Sequence, residues 1–190
     1  MVELRTPRLL LRRWRDADIA ALARINADPE VMRFIGDGSV ADHAATAAQI
    51  AGFEQTWQAY GFGRFAVELR GSGVLAGFTG MAIPSDVPEI MPCVEVGWRL
   101  GRAHWGRGLA TEAARAALRF AFADCGLDRI VGVYVLGNDA SARVMAKLGM
   151  RFDRDTTEIL YGRPVRIHAI SREEYATRSG GVGESVGGWS

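Results

Sequence analysis

Apolar and polar positions recur along this chain with two periods, and the changes of period mark out its elements. Residues 3–14 (ELRTPRLLLRRW) predict a first strand, with Leu9 and Leu11 on one face and Leu10 and Arg12 on the other. Asp16-Ala17-Asp18 is a helix start signal, and Ile19, Leu22, Ala23 and Ile25 follow at helical spacing. Asp28-Pro29 ends that helix and opens a short one through Val31, Met32 and Phe34, before a loop at 36–39. The alanine-rich stretch 41–59 predicts a longer helix that stops at Tyr60-Gly61. Residues 62–69 and 74–83 predict two strands around the hairpin turn Arg70-Gly71-Ser72-Gly73. After a proline-bearing loop at 84–92, residues 93–100 predict a strand and 108–124 a helix, with Gly126 as its end signal. Residues 130–136 predict a strand and 138–148 a helix ended by Gly149; 152–161 and 165–171 predict a last hairpin around Gly162-Arg163-Pro164. This order predicts one α/β (α+β) domain over residues 1–176, with a mixed, mostly antiparallel central sheet of about seven strands flanked by helices. Residues 177–190, rich in glycine and serine, predict a disordered tail.

Composition narrows the function classes. With a net charge of +1 over 190 residues, the chain as a whole lacks the basic excess of a nucleic-acid binder. Lys147 is its lone lysine, so the positive charge is arginine, which suits fixed contacts to phosphates and carboxylates. Cys93 and Cys125 form no CxxC pair, and His43, His104 and His168 are scattered, so no metal site is expected. The opening Met-Val-Glu-Leu-Arg-Thr-Pro-Arg does not read as a signal peptide, and no apolar run approaches the roughly 20 residues of a membrane span. A cytoplasmic protein without membrane or direct nucleic-acid contacts is expected.

The densest chemical signal is the run from Glu95 to Glu112 (EVGWRLGRAHWGRGLATE). A strand leads into a turn of small residues, Gly106, Gly108 and Ala110, and the turn opens a helix whose Leu109, Ala113, Ala116, Ala117 and Phe120 share one face. The first turn of such a helix offers unpaired N–H groups and the positive end of the helix dipole, and glycine lets an anion come close. The arrangement suits a pyrophosphate. No lysine stands where a Walker A loop needs one, and Thr111 occupies the third glycine position of a dinucleotide fingerprint. Gly106 and Gly108 also serve a plain tight turn.

The turn resembles that of the GNAT superfamily of acyl-CoA-dependent N-acyltransferases, Q/R-x-x-G-x-G/A, with Gly108 and Ala110 in the required places and Trp105 departing at the first position. Trp105 instead fits the W-G-x-G-x-A-T-E-A run of the RimJ/RimL-like branch, as do Thr6-Pro7-Arg8-Leu9-Leu10-Leu11-Arg12, the stretch EVGWRL at 95–100, Asn138-Asp139-Ala140-Ser141 and Lys147-Leu148-Gly149-Met150. The likeness spans about residues 3–175. It implies the GNAT fold and acetyl-CoA as cosubstrate, without a metal. It further implies that the turn Trp105, Gly106, Arg107, Gly108, Leu109, Ala110 and Thr111 holds the pyrophosphate through backbone N–H groups. The edge of the strand through Trp98, Arg99 and Leu100 would pair with the pantetheine arm, and an N–H at Trp98 or Arg99 would polarise the thioester carbonyl. Arg102, Arg107 and Arg143 are candidates for the outer phosphates. Glu95 is the candidate base and equally a strand carboxylate paired with an arginine. Many relatives carry a tyrosine where this chain has Met145, so Ser141 is the expected donor to the leaving thiolate; Asn138 would contact pantetheine while also capping its helix.

The implied reaction is direct attack of a primary amine on the thioester. The acceptor is expected to be a protein N-terminal α-amine or a small-molecule amine, in a site built from Phe34, Ile35, Trp57, Tyr60, Phe62 and the 84–92 loop. Asp37, Asp42, Asp86 and Glu89 are candidates to attract its charge. Dimers are common in the superfamily, so a homodimer is a further expectation. The competing reading is a catalytically weak CoA-binding sensor or partner module.

Overall fold

The computed structural model of the protein describes residues 2–84, 91–160 and 163–180. The first apolar stretch does not run as one strand. Pro7 has no N–H to donate, and Thr6 turns the chain by accepting the Leu9 N–H at 2.9 Å, so β1 (Leu4–Arg5) folds back on β2 (Leu9–Arg12). Helices α1 (Asp18–Asn26), α2 (Pro29–Met32) and α3 (His43–Tyr60) follow. Asp42 caps α3 by accepting the Ala45 N–H, and Gly61 ends it in the left-handed region. Then come β3 (Arg64–Leu69), β4 (Leu75–Ala82), β5 (Glu95–Leu100), a 3-10 turn at Arg102–His104, α4 (Leu109–Ala123), β6 (Arg129–Val135) and α5 (Asp139–Leu148). Strands β7 (Arg151–Leu160) and β8 (Arg163–Ser171) and helix α6 (Arg172–Gly180) complete the described chain. The expected tail at 177–190 therefore begins inside a helix, and its residues 181–190 lie outside the described ones.

The strands form one open sheet of eight in the order β1-β2-β3-β4-β5-β6-β8-β7. Every neighbouring pair is antiparallel except β5 and β6, which are parallel and share one register position, Glu95 opposite Val131. Beyond it the two strands part. Helix α4 packs one face of the sheet through Leu109, Ala113, Ala117 and Phe120, joined by Met145 and Leu148 of α5. Helices α1 and α3 cover the other face over β3 and β4, where Leu22, Ile50, Ala66, Leu75 and Phe78 form a second cluster. At the end of the sheet Trp57 packs on Phe65 and Phe120.

A buried ion cluster ties β2, β3 and α1. Arg12 donates to both oxygens of Asp18, at 2.7 and 2.8 Å, and to Glu68 at 2.8 Å. Its pKa is raised, first by the hydrogen bond to Asp18.

Candidate active site

Gly108 occupies the N-cap of α4 at φ +74° and offers no side chain to cap it. The first N–H with a partner inside the helix is that of Glu112, which donates to the Gly108 carbonyl at 3.1 Å. The N–H groups of Leu109, Ala110 and Thr111 thus head the helix with the positive end of its dipole behind them. Gly106, at φ +70°, has nothing within 4 Å of where a Cβ would stand. An open, uncapped helix start of this kind fits the diphosphate of coenzyme A.

The turn is held from behind. Arg8 donates to the Arg107 carbonyl at 2.9 Å and to Glu112 at 2.6 Å, while Thr6 donates to Glu112 at 2.6 Å. Drawing the Arg107 carbonyl back toward Arg8 keeps an acceptor out of the anion cradle. Burial pushes the Glu112 carboxyl up, but the hydrogen bonds from Thr6 and Arg8 and the Arg8 charge outweigh it, so its pKa ends below the ordinary glutamate value.

Strand β5 carries the second component. The Gly101 N–H donates to Ala76 of β4, and the Val94 carbonyl accepts from Val131 of β6, both at 2.9 Å. Peptide groups alternate along a strand, so those of Val96, Trp98 and Leu100 face the opening where β6 departs. The Leu100 carbonyl is taken by the Trp105 indole N–H at 2.7 Å. Val96 and Trp98 therefore present the strand edge to an extended amide chain such as pantetheine. The Arg99 peptide faces β4, and its side chain lies on the α1 face, where Nη1 donates to Asn26 Oδ1 at 2.7 Å. Of the two N–H groups considered for the thioester carbonyl, that of Trp98 faces the opening and that of Arg99 faces β4.

Glu95 stands where β5 and β6 begin to part, and its carboxylate meets Arg64 of β3 at 3.1 Å. Arg64 is firmly placed, since its carbonyl accepts both the Trp14 and Trp57 indole N–H groups, at 2.9 and 3.2 Å. Its guanidinium lies across Gly97, where a Cβ would collide with it. The Arg64–Glu95 pair keeps 13% and 17% side-chain exposure.

Asn138 caps α5 by accepting the Ser141 N–H at 3.2 Å, which brings those two residues together on the far side of the opening. Ser141 is half-buried, and Arg143 is exposed on α5. Met145 is buried against Gly132 of β6. Arg102 turns toward α1 and meets Asp28 at 3.2 Å. With Arg24, Ile25 and His104 it lines a pocket of about 530 Å³ on that side. His104 Nδ1 is buried without a partner among the described residues, and burial, with the charge of Arg107, lowers its pKa. Arg107 is exposed in the turn itself.

The acceptor-site residues divide. Trp57 and Phe62 are core, whereas Tyr60 is exposed and stacks on Phe62. Asp42 is a helix cap, and Asp37 accepts the Ser39 N–H at 2.8 Å. Phe34 and Ile35 are half-buried beside a loop whose Arg33 carbonyl accepts from Arg163 of β8. Asp86 and Glu89 lie outside the described residues. Sequence reasoning missed Arg64, Asn26 and the Arg8–Glu112 clamp. An isolated arginine opening the apolar strand RFAV was the available signal for the first.

The comparisons agree with this geometry. The family model of the acetyltransferase (GNAT) domain matches residues 8–151. The uncharacterized N-acetyltransferase YnaD of Bacillus subtilis is 30% identical over 150 residues, covering 79% of this chain and 83% of its own. The crystal structure of a GNAT-family acetyltransferase from Bacillus anthracis superposes with a TM-score of 0.76 at 26% identity, covering 90% of this chain and 99% of that one. RimL, a ribosomal L7/L12 α-N-protein acetyltransferase in complex with coenzyme A, shares the fold at a TM-score of 0.74 and 15% identity, covering 90% of this chain and 98% of its own. With a parted strand pair, an uncapped helix start between them and a family match across most of its length, the chain belongs to the GNAT acetyltransferases and is an acyl-CoA-dependent acetyltransferase.

Proposed function

We propose that the protein transfers an acetyl group from acetyl-CoA to a primary amine, either a protein N-terminal α-amine or a small-molecule amine, in the manner of the RimJ/RimL-like branch. The observation that carries this reading is the conjunction at β5: its edge opens immediately after Glu95, and it leads into the uncapped N-terminus of α4. The N–H groups at the head of α4 hold the diphosphate, and exposed Arg107 and Arg143 are at hand for the outer phosphates. Val96 and Trp98 pair with the pantetheine amides, and the Trp98 N–H polarises the thioester carbonyl. Acetyl-CoA supplies the activated acyl group.

The acceptor approaches from the α1 face, where Glu95 lies. Its nitrogen forms the new C–N bond to the carbonyl carbon as the C–S bond breaks. Glu95 takes the proton from nitrogen, directly or through a water. An α-amine, with a pKa of about 7.7–8.0, needs less help here than a lysine side chain at about 10.4. Ser141 donates a hydrogen bond to the departing sulfur; with a thiol pKa of about 8.5, the thiolate leaves without full protonation. Cytoplasmic location and a homodimer belong to the same reading.

The double variant Glu95→Gln with Ser141→Ala tests it. Turnover of acetyl-CoA falls by about 10²-fold or more, while the Kd for CoA, read by calorimetry, stays within a factor of two to three. An unchanged rate removes both residues from the mechanism, whereas CoA binding without turnover by the wild-type protein favours a sensor.

A further inference from the structure

Arg99 is 8% exposed, yet the partners it touches are neutral: Asn26 Oδ1 at 2.7 Å and the Phe78 ring, 5.1 Å from the guanidinium carbon to the ring centre. Its Nε is buried with no hydrogen-bond partner among the described residues. Asn26 cannot turn to serve it, because the Asn26 amide donates to Thr46 and Gln49, at 3.0 and 3.2 Å. A second guanidinium, that of Arg64, lies 5.8 Å from the centre of the same Phe78 ring. Glu95 is paired with Arg64, while Arg99 meets no carboxylate among the described residues. Burial, with the charge of Arg64, draws the pKa of Arg99 down to about 10, and it still carries its proton at neutral pH. A buried cation with an unfilled donor is costly unless an anion completes it.

The location says which anion. Glu95, Gly97 and Arg99 occupy alternate positions of β5 and share the face on which the acceptor meets Glu95. Because Gly97 has no side chain, the Arg64 guanidinium occupies the space over it and reaches Glu95. A ligand with its amine at Glu95 is therefore flanked by guanidinium groups that match a planar carboxylate.

We propose that the acceptor is a primary amine of amino-acid type, its carboxylate held by Arg99 with Arg64 and its amine presented to Glu95. This rests on the transfer reading above and chooses within it: a protein N-terminus, whose α-carboxyl is tied up in a peptide bond, does not fill the site. The step is the one already written, and the carboxylate is bound without change.

The test compares free amino acids with their amides as acceptors, read as thiol release from acetyl-CoA. The acids are expected to exceed the amides in kcat/KM by about 10- to 100-fold, the range of a hydrogen bond to a charged group. This runs against intrinsic reactivity, since the amide's amine deprotonates more readily. In Arg99→Gln the acid-to-amide ratio is expected to fall toward one, whereas a merely structural loss lowers both rates and leaves the ratio. Asn26→Asp guards against misfolding of that variant: it keeps the contact to Arg99, supplies the counter-charge from within, and is expected to lower the ratio too. Equal rates for acid and amide, or a ratio that neither variant moves, overturn the proposal. Binding of N-acetylated amino acids to the CoA-loaded protein separates the two readings. Arg99-dependent binding without turnover supports the carboxylate site and sinks the transfer reading. Absence of both binding and turnover sinks both.

Discussion

Two buried arginines, Arg12 and Arg99, solve the same problem in opposite ways. Arg12, 4% exposed, is closed on all sides by Asp18 and Glu68, and its pKa is raised. Arg99, 8% exposed, leans on an asparagine and an aromatic ring, has no partner for Nε among the described residues, and its pKa is lowered. The first is a girder between β2, β3 and α1; the second lies on the same face of β5 as Glu95 with a donor that has no partner among the described residues. The helix starts repeat the contrast. Asp42 closes the N-terminus of α3 from within the chain, and Gly108 leaves that of α4 for a ligand. Polar groups satisfied internally hold this fold together; among the described residues the buried side-chain atoms left without a partner are Arg99 Nε, His104 Nδ1 and His168 Nδ1.

The largest effect that separates the two arginines is on stability. Arg12→Met strands the buried Asp18 carboxylate and takes a partner from half-buried Glu68, and is expected to destabilise by about 3–5 kcal/mol. Arg99→Met strands the Asn26 carbonyl and no charge, so about 1–3 kcal/mol is expected. Urea unfolding of both variants checks this, and equal losses would erase the distinction between girder and donor.

Next in size is the clamp behind the cofactor turn. Arg8→Ala frees the Arg107 carbonyl and is expected to weaken CoA binding by about tenfold, the loss of a hydrogen bond or two, with the melting temperature moved little. Arg8→Lys restores charge without the fork and recovers only part. Because the Glu112 carboxyl ionises more readily in the fold than in the unfolded chain, its contribution is complete at neutral pH. It disappears as the pH falls through the acid range below the ordinary glutamate value. Glu112→Gln is expected to flatten that acid limb, and an unaltered limb would remove the clamp from the account.

Smallest is Asp42→Ala, expected to cost about 1 kcal/mol of stability and to leave the Kd for CoA alone. A change in CoA affinity there would show that the closed and open helix starts are not separate devices.

What was legible in the sequence was local. Hydrophobic periods gave the strands and helices to within a few residues, and the glycines at 106 and 108 marked the turn because its conformation depends on a handful of neighbours. The split of the first strand turned on Thr6 and Pro7, whose turn chemistry competes with the apolar run. Helix α6 escaped notice because Arg172, Glu173, Glu174, Thr177 and Arg178 give it no apolar stripe; Tyr175 anchors it on Phe122. The clamp joins Arg8 to Glu112 across 104 positions, and the Arg64–Glu95 pair depends on the register of three strands. No local rule connects such residues. Arg99 was placed with the cofactor for its strand N–H; the two-residue alternation of β5 turns that N–H toward β4 and sends the side chain to Asn26 of α1.

The central claim is that the parted strands bring acetyl-CoA and an amine together at Glu95. The most direct test is thiol release from acetyl-CoA by the wild-type protein with N-terminal peptides, amino acids, polyamines and aminoglycosides in turn. The account predicts saturable release with a class of primary amine, lost in Glu95→Gln. Binding of CoA by calorimetry with no release above hydrolysis from any of the four would contradict it.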